Sequence, residues 1–345
     1  MSSRDDISEF LATETGNRHF SGMQKRIVVG LLILWSCFQL WYASPLPFIL
    51  NFATLNEDQA KFIHLAFAAF LAFALFPGSA KASRDRMTPL DWVFGFIAAS
   101  AALYLLIVRN ELANRLGAPT TMDMVMAVAG ILTLLEATRR SLGLPLLIVA
   151  VVFLSYTFLG QYMPDVISHK GASLSKVASH QWLTTEGVFG VALGVSASFV
   201  FLFVLLGSLL DRAGAGNYLI MVSFALLGHM RGGPAKAAVV ASGLSGIISG
   251  SSIANVVTTG TFTIPLMKRV GFPATKAGAV EVAASTNGQL TPPIMGAAAF
   301  LMVEYVGVPY IDVIKHAILP ALISYIALVY IVHLEAVKRN MPTLG

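Results

Sequence analysis

The chain has 345 residues, 56% hydrophobic and 12% charged, with a formal net charge of +5 and a mean hydropathy of +0.73. A soluble domain carries about 25% charge, so this chain could not cover its apolar surface in water and a soluble protein is excluded. At about 20 residues per crossing the length allows roughly eight to ten membrane spans. Its surplus Lys and Arg then set loop orientation rather than bind nucleic acid, and the single cysteine, Cys37, excludes an intrachain disulfide framework and a Cys-based metal cluster.

Residues 1–26 are polar, mixed in charge and end in Lys25-Arg26, which reads as a cytoplasmic tail. The apolar run 27–50 is too long for the core of a signal peptide and reads as a first transmembrane helix. Further runs follow at 60–76, 90–108, 122–138 and 143–161, so that 27–161 forms an N-terminal transmembrane bundle. With the N-terminus inside, Lys25, Arg26, Lys81, Arg84, Arg86, Arg139 and Arg140 all fall on the cytoplasmic side. Arg109 and Arg115, with Glu111 between them, fall outside. Segment 162–186, bearing Trp182, reads as an outer interfacial linker. A sixth run, 187–210, returns inside at Asp211-Arg212, and Tyr218–Leu227 is too short to span and reads as an amphipathic helix before the corner Gly232-Gly233-Pro234.

Residues 236–269 are basic at both ends and carry a polar tip, Ser249-Gly250-Ser251-Ser252-Ile253-Ala254-Asn255. Arms of about 12–16 residues reach roughly 18–24 Å, short of the ~30 Å hydrocarbon core, which predicts a re-entrant helical hairpin. Non-helical backbone at that depth is tolerated only where it is buried in protein or lines a wet cavity, so a hairpin implies a site. The next run, 275–306, holds Ser285-Thr286-Asn287-Gly288-Gln289-Leu290-Thr291-Pro292-Pro293. Two prolines remove two donors and disfavour the helix before them, which predicts unwinding near 286–292 with free carbonyls. A last helix covers 311–334.

Secondary transporters build cation sites from such interrupted helices. Neutral oxygens of Ser249, Ser251, Ser252 and Asn255 on one element and Ser285, Thr286 and Asn287 on the other suit Na⁺. The competing reading is close helix packing, the usual role of small and hydroxyl residues in membranes, and it applies most to Thr258, Thr259, Thr261 and Thr263. Glu281 stands inside an apolar run and is either a site-supporting carboxylate or a paired group; Asp123, Glu136 and Glu304 lie near run ends. His64 and His316 read as the buried histidines, and no His has metal-ligand spacing. No Ser/His or paired-Asp constellation falls in a predicted core, so an intramembrane enzyme is disfavoured and no cofactor is called for.

The strings Arg231-Gly232-Gly233-Pro234-Ala235-Lys236, Ser249-Gly250-Ser251-Ser252 and Ala254 through Met267 closely resemble the fused permeases of TRAP transporters, the tripartite ATP-independent periplasmic transporters, in the branch that works with TAXI-type binding proteins. Gly278-Ala279-Val280-Glu281, Ala284 through Gln289, Pro292 through Phe300 and His333-Leu334-Glu335-Ala336 continue the match, which is dense over about 180–340. The resemblance implies an all-α, elevator-type, Na⁺-driven importer of organic anions, often carboxylates, in the inner membrane. A soluble periplasmic binding protein delivers the anion. It implies Na⁺ coordination at Ser249, Gly250, Ser251, Ser252 and Asn255 and at Ser285, Thr286, Asn287 and Gly288. Substrate would lie beside Thr258, Thr259, Gln289, Thr291, Pro292 and Pro293. Residues 27–161 look like the small-subunit part of such fusions and 187–345 like the first half of the large permease, with about eight full spans, one hairpin and one broken helix. No second hairpin tip or Pro-Pro break is found, so the chain reads as half of an inverted repeat that needs a second permease half. The alternative is a non-transporting assembly or regulatory subunit.

Overall fold

The computed structural model describes residues 18–79, 82–115 and 117–341, so residues 1–17 of the tail and the loop residue Lys81 lie outside the described residues. Every regular element among the described residues is helical. Among the described residues, seven helices are long and apolar enough to cross a membrane. The chain divides into two compact units, Met1–Ser198 and Phe199–Gly345; one candidate span, Val191–Leu210, contains the boundary.

The first unit contains α1 (Gly22–Ala43), α2 (Glu57–Leu75), α3 (Pro89–Asn114), α4 (Thr121–Leu142) and α5 (Leu144–Leu159). Helix α1 starts within the expected tail and stops at Ser44, before Pro45 and a single turn at Leu46–Ile49. Three of these helices open on capping boxes: Asn56 with Gln59, Thr88 with Asp91, and Thr120 with Asp123. Each box satisfies orphan N–H groups at a helix start. Helix α2 is the central element, packing on α1, α3 and α4, because its Ala- and Phe-rich sequence lets neighbours approach closely. Helix α5 has no buried residue, and its Leu, Ile and Val side chains face outward, as lipid exposure requires.

Two features of this unit depart from expectation. Trp182 is not an interfacial anchor. It is 2% exposed, donates its indole N–H to Ala101 O at 3.1 Å, and lies over Gly130, where a Cβ would stand 2.2 Å from the ring. A ring of that size gains more from burial in the bundle than from the interface once its N–H has a partner. The basic residues at the end of α4 are also not free loop charges. Arg140 and the buried Arg18 each contact Asp91 at 2.6 Å, and Glu136 takes both Arg139 and Arg140 at 2.7 Å. Asp123 is likewise paired, accepting from Tyr104 at 2.6 Å and Arg115 at 3.0 Å. His64 is buried, whereas His316 is exposed on the last helix, one helical turn after Asp312.

The second unit contains α6 (Phe201–Arg212), α7 (Ala215–Leu227), α8 (Gly233–Ser249), α9 (Ser252–Arg269), α10 (Ala274–Asn287), α11 (Ala297–Val306) and α12 (Tyr310–Lys338). Helix α7, expected as an amphipathic surface helix, packs along α8. Helix α8 is the hub, touching α7, α9, α10 and α12. Ala235, Ala238 and Val239 of α8 form a core with Met267, Ala277, Ala284, Val332 and Ala336. Helices α8 and α9 are antiparallel neighbours of 17 and 18 residues. Each is about 26 Å long at 1.5 Å per residue, still short of a ~30 Å core. The arms exceed the expected 12–16 residues because α8 already starts at Gly233-Pro234, a favourable first-turn position for proline.

Candidate functional site

The hairpin tip is two residues long. Gly250 adopts φ +58 and closes α8 with its N–H on Gly246 O at 3.1 Å. Ser251 caps α9 by accepting from Ala254 N–H at 3.4 Å. The left-handed conformation at Gly250 needs glycine, and so does its surroundings: a Cβ there would lie 2.4 Å from Met295 O. One turn earlier, a Cβ on Gly246 would lie 2.5 Å from Gly288 Cα. Glycines thus seat the tip against the interruption that follows α10.

That interruption begins later than expected. Helix α10 continues through Asn287, a 3₁₀ turn covers Gly288–Leu290, and the chain is non-helical only from Thr291 to the start of α11 at Ala297. Thr291 is extended, the conformation favoured for a residue before a proline. The Pro292–Pro293 bond is cis and Met295 has φ +56. Several of the carbonyls expected to be free have partners. Gly288 O accepts from Thr291 N–H at 3.1 Å, and Gln289 O accepts from Gly296 N–H at 2.8 Å. Asn287 O accepts from Thr291 Oγ1 at 3.0 Å, while the Tyr310 hydroxyl lies 2.5 Å from Pro293 O and 2.9 Å from Ile294 O and shares its one hydrogen between them.

Beneath the tip, α8, α9 and α10 share a polar network. Glu281 is fully buried. Thr259 Oγ1 donates to its Oε1 and Thr263 Oγ1 to its Oε2, and Ser285 Oγ donates to Oε1 at 3.2 Å. Ser285 Oγ lies 2.9 Å from Ser242 Oγ. Asn255 donates its Nδ2 hydrogens to Ser242 O at 2.8 Å and Ser242 Oγ at 3.0 Å. Gly260 makes room for the carboxylate: a Cβ there would be 3.1 Å from Glu281 Cγ.

The predicted site residues therefore fall into separate groups. Asn255, Thr259 and Ser285 belong to the buried network. Ser252 and Gln289 join tip to break through a 2.9 Å bond from Gln289 Nε2 to Ser252 Oγ. Ser251, Asn255 and Thr258 line a cavity of about 280 Å³ together with Ser208, Ser245 and Gly216. Thr286 is exposed and turns its hydroxyl back to Val282 O at 2.7 Å, and Thr258 does the same to Ala254 O at 2.8 Å. Asn287 is half-buried and Gly288 is buried against Gly246. Ser249 ends α8, and its side chain lies outside the described residues.

Two buried oxygens on the cavity-lining residues have no hydrogen-bond partner among the described residues, Asn255 Oδ1 and Ser245 Oγ. An orphaned buried acceptor is costly, and neutral amide and hydroxyl oxygens fit a hard monovalent cation. No group of three or more His, Cys, Asp and Glu fit to hold a metal ion occurs among the described residues. Ser242 and Ser245 were not among the residues predicted from the sequence. A signal was present in the spacing: Ser242 and Ser245 on α8 stand three residues apart, and Asn255, Thr259 and Thr263 on α9, with Glu281 and Ser285 on α10, repeat every four, so each set lines one face of its helix.

A family model described as "Tripartite ATP-independent periplasmic transporter, DctM component" matches residues 129–344. The chain belongs to this TRAP permease family. The match includes the whole of the hairpin and the break. Among similar proteins is a C4-dicarboxylate TRAP transporter large permease of Pseudomonas aeruginosa, 32% identical over 145 residues, which are 41% of this chain and 33% of that protein. A Vibrio cholerae C4-dicarboxylate TRAP large permease is 29% identical over 177 residues, 50% of this chain and 37% of that protein. An ectoine/5-hydroxyectoine TRAP large permease of Ruegeria pomeroyi is 28% identical over 142 residues, 41% of this chain and 33% of that protein. The chain thus spans about a third of the length of the curated relatives it matches. It is a multi-pass membrane protein of the TRAP permease family.

Proposed function

We propose that this TRAP-family chain is a permease component for Na⁺-coupled uptake of an organic anion, a carboxylate by preference, across the bacterial or archaeal inner membrane. The observation that carries the reading is the juxtaposition of a short-armed hairpin with a broken helix, sealed by Gly246 on Gly288 and Gly250 on Met295. Beside that seal stand the two orphaned oxygens of Asn255 and Ser245. The cation occupies this half-site, with Ser251, Ser252, Ser249 and the backbone of Gly250 completing the tip, and Ser285, Thr286, Asn287 and Gly288 on the facing element. Thr258, Thr259, Gln289, Thr291, Pro292 and Pro293 flank the anion. Relatives named for C4-dicarboxylates support an anionic cargo.

In this reading a TAXI-type periplasmic binding protein delivers the anion. The N-terminal helices act as a fused small-subunit part, the N-terminus is cytoplasmic, and a second permease half, in the same or another polypeptide, supplies the other half-site. Transport then proceeds by an elevator movement. The test is uptake by proteoliposomes holding the complete transporter and its binding protein. Accumulation that requires an inward Na⁺ gradient and the binding protein is expected. Uptake indifferent to Na⁺ overturns the coupling, and absence of uptake by the complete assembly supports a non-transporting assembly subunit instead.

A further inference from the structure

Glu281 is the buried group that the hairpin and break do not by themselves explain. It is 0% exposed, and no Lys, Arg or His pairs with it among the described residues; its neighbours are hydroxyls of Thr259, Thr263, Ser285 and Ser242. The charged groups on the helices packed around it lie elsewhere: Lys236 on α8, Lys268 and Arg269 on α9, and Lys276, which pairs with Glu335 of α12. A buried carboxylate without a counter-charge is strongly unfavourable, and hydrogen bonds alone offset only part of that cost.

The bonds around Glu281 run in one direction. Ser285 donates to the carboxylate, so its oxygen accepts from Ser242. Ser242 Oγ in turn accepts from Asn255 Nδ2. Ser242 O, which can only accept, fixes the same amide orientation. Each donor is polarised by the next, an effect that accumulates along such chains, and the chain ends at Asn255 with its partnerless, buried Oδ1.

We propose that Glu281 is a positioning residue that supplies the counter-charge for the cation at Asn255, acting through the Ser285–Ser242–Asn255 relay rather than by touching the ion. The inference rests on the cation half-site proposed above. Its consequence is a mutual dependence: the cation relieves the buried charge, and the charge raises the cation's affinity. An ordinary structural role would make Glu281 stabilising under all conditions. A counter-charge makes it destabilising whenever the cation is absent.

The test compares wild type, Glu281→Gln and Glu281→Asp in the complete transporter, by thermal unfolding in Na⁺ and in an impermeant-cation buffer, and by Na⁺ activation of uptake. Glu281→Gln keeps the shape and removes the charge. It should unfold at a higher temperature than wild type without Na⁺, lose most of the Na⁺-induced shift, and need about tenfold more Na⁺ for half-maximal uptake, the order of one charge interaction at intermediate effective dielectric. Glu281→Asp should keep the Na⁺-induced shift. A Glu281→Gln protein that is less stable in both buffers, or that keeps the wild-type Na⁺ shift and Na⁺ requirement, overturns the inference while leaving the half-site standing. A wild type with no Na⁺ response overturns both.

Discussion

Gly246 and Gly288 meet backbone to backbone, with a Cβ on the first placed 2.5 Å from the Cα of the second. The contact joins the hairpin's first arm to the 3₁₀ turn of the broken helix, and it leaves no space for a methyl group. Gly246→Ala must displace one backbone or the other, a form of overpacking that costs about 1–3 kcal/mol. The detergent-purified protein should unfold at a lower temperature and transport should fall. Gly30→Ala in α1, where nothing lies within 4 Å of the added Cβ, should leave both unchanged.

Asp91 holds two buried arginines, Arg18 and Arg140, at 2.6 Å each. Asp91→Ala strands both cations and removes an α3 cap, and breaking a buried pair costs about 3–5 kcal/mol. A large loss of thermal stability is expected. Because the pair is buried, raising salt should change wild-type stability little.

Trp182 fills the space between α3 and α4 and caps Ala101 O. Trp182→Ala leaves a cavity and an unpaired carbonyl, with an expected loss of about 3–5 kcal/mol. Were the residue an interfacial anchor, the same substitution would change unfolding far less, so thermal unfolding distinguishes the two roles.

The topology makes opposite predictions for two exposed positions. In a background lacking Cys37, Arg86→Cys should react with an impermeant thiol reagent only from the cytoplasmic side. Val166→Cys, at a residue 96% exposed, should react only from outside. Labelling of both from the same side contradicts the cytoplasmic N-terminus.

Much of this arrangement is visible in the sequence, and the limits have physical causes. A tip within 249–255 is legible because glycine and a capping serine stand between two apolar arms, but its two-residue length is not, since α9 already begins at Ser252. The break is legible from Pro292-Pro293, but its position is not. Prolines disfavour helix just before themselves, yet α9 and α12 run through Pro265 and Pro320; tertiary contact decides how far the preceding helix persists, and Gly288 is held against Gly246. The hydroxyls of Thr259 and Thr263 read as packing groups on α9 alone; the partner that makes them polar, Glu281, lies on another helix. Ser242 and Ser245 are not legible as site residues, because hydroxyls on an apolar arm read as packing groups until α9 and α10 are placed beside them. Trp182 looked interfacial because only the folded bundle provides Ala101 O as a partner for its N–H.

The central claim is that the tip and break form a cation half-site, and Asn255 tests it most directly. Asn255→Ala removes the orphaned oxygen and the last donor of the relay. Measured as the Na⁺ dependence of initial uptake by the complete transporter in proteoliposomes, half-maximal activation should move to about tenfold higher Na⁺, the order of one lost bond to a charged group. The requirement for the binding protein should be unchanged. Na⁺ activation identical to wild type, in a variant that folds and transports, would contradict the account.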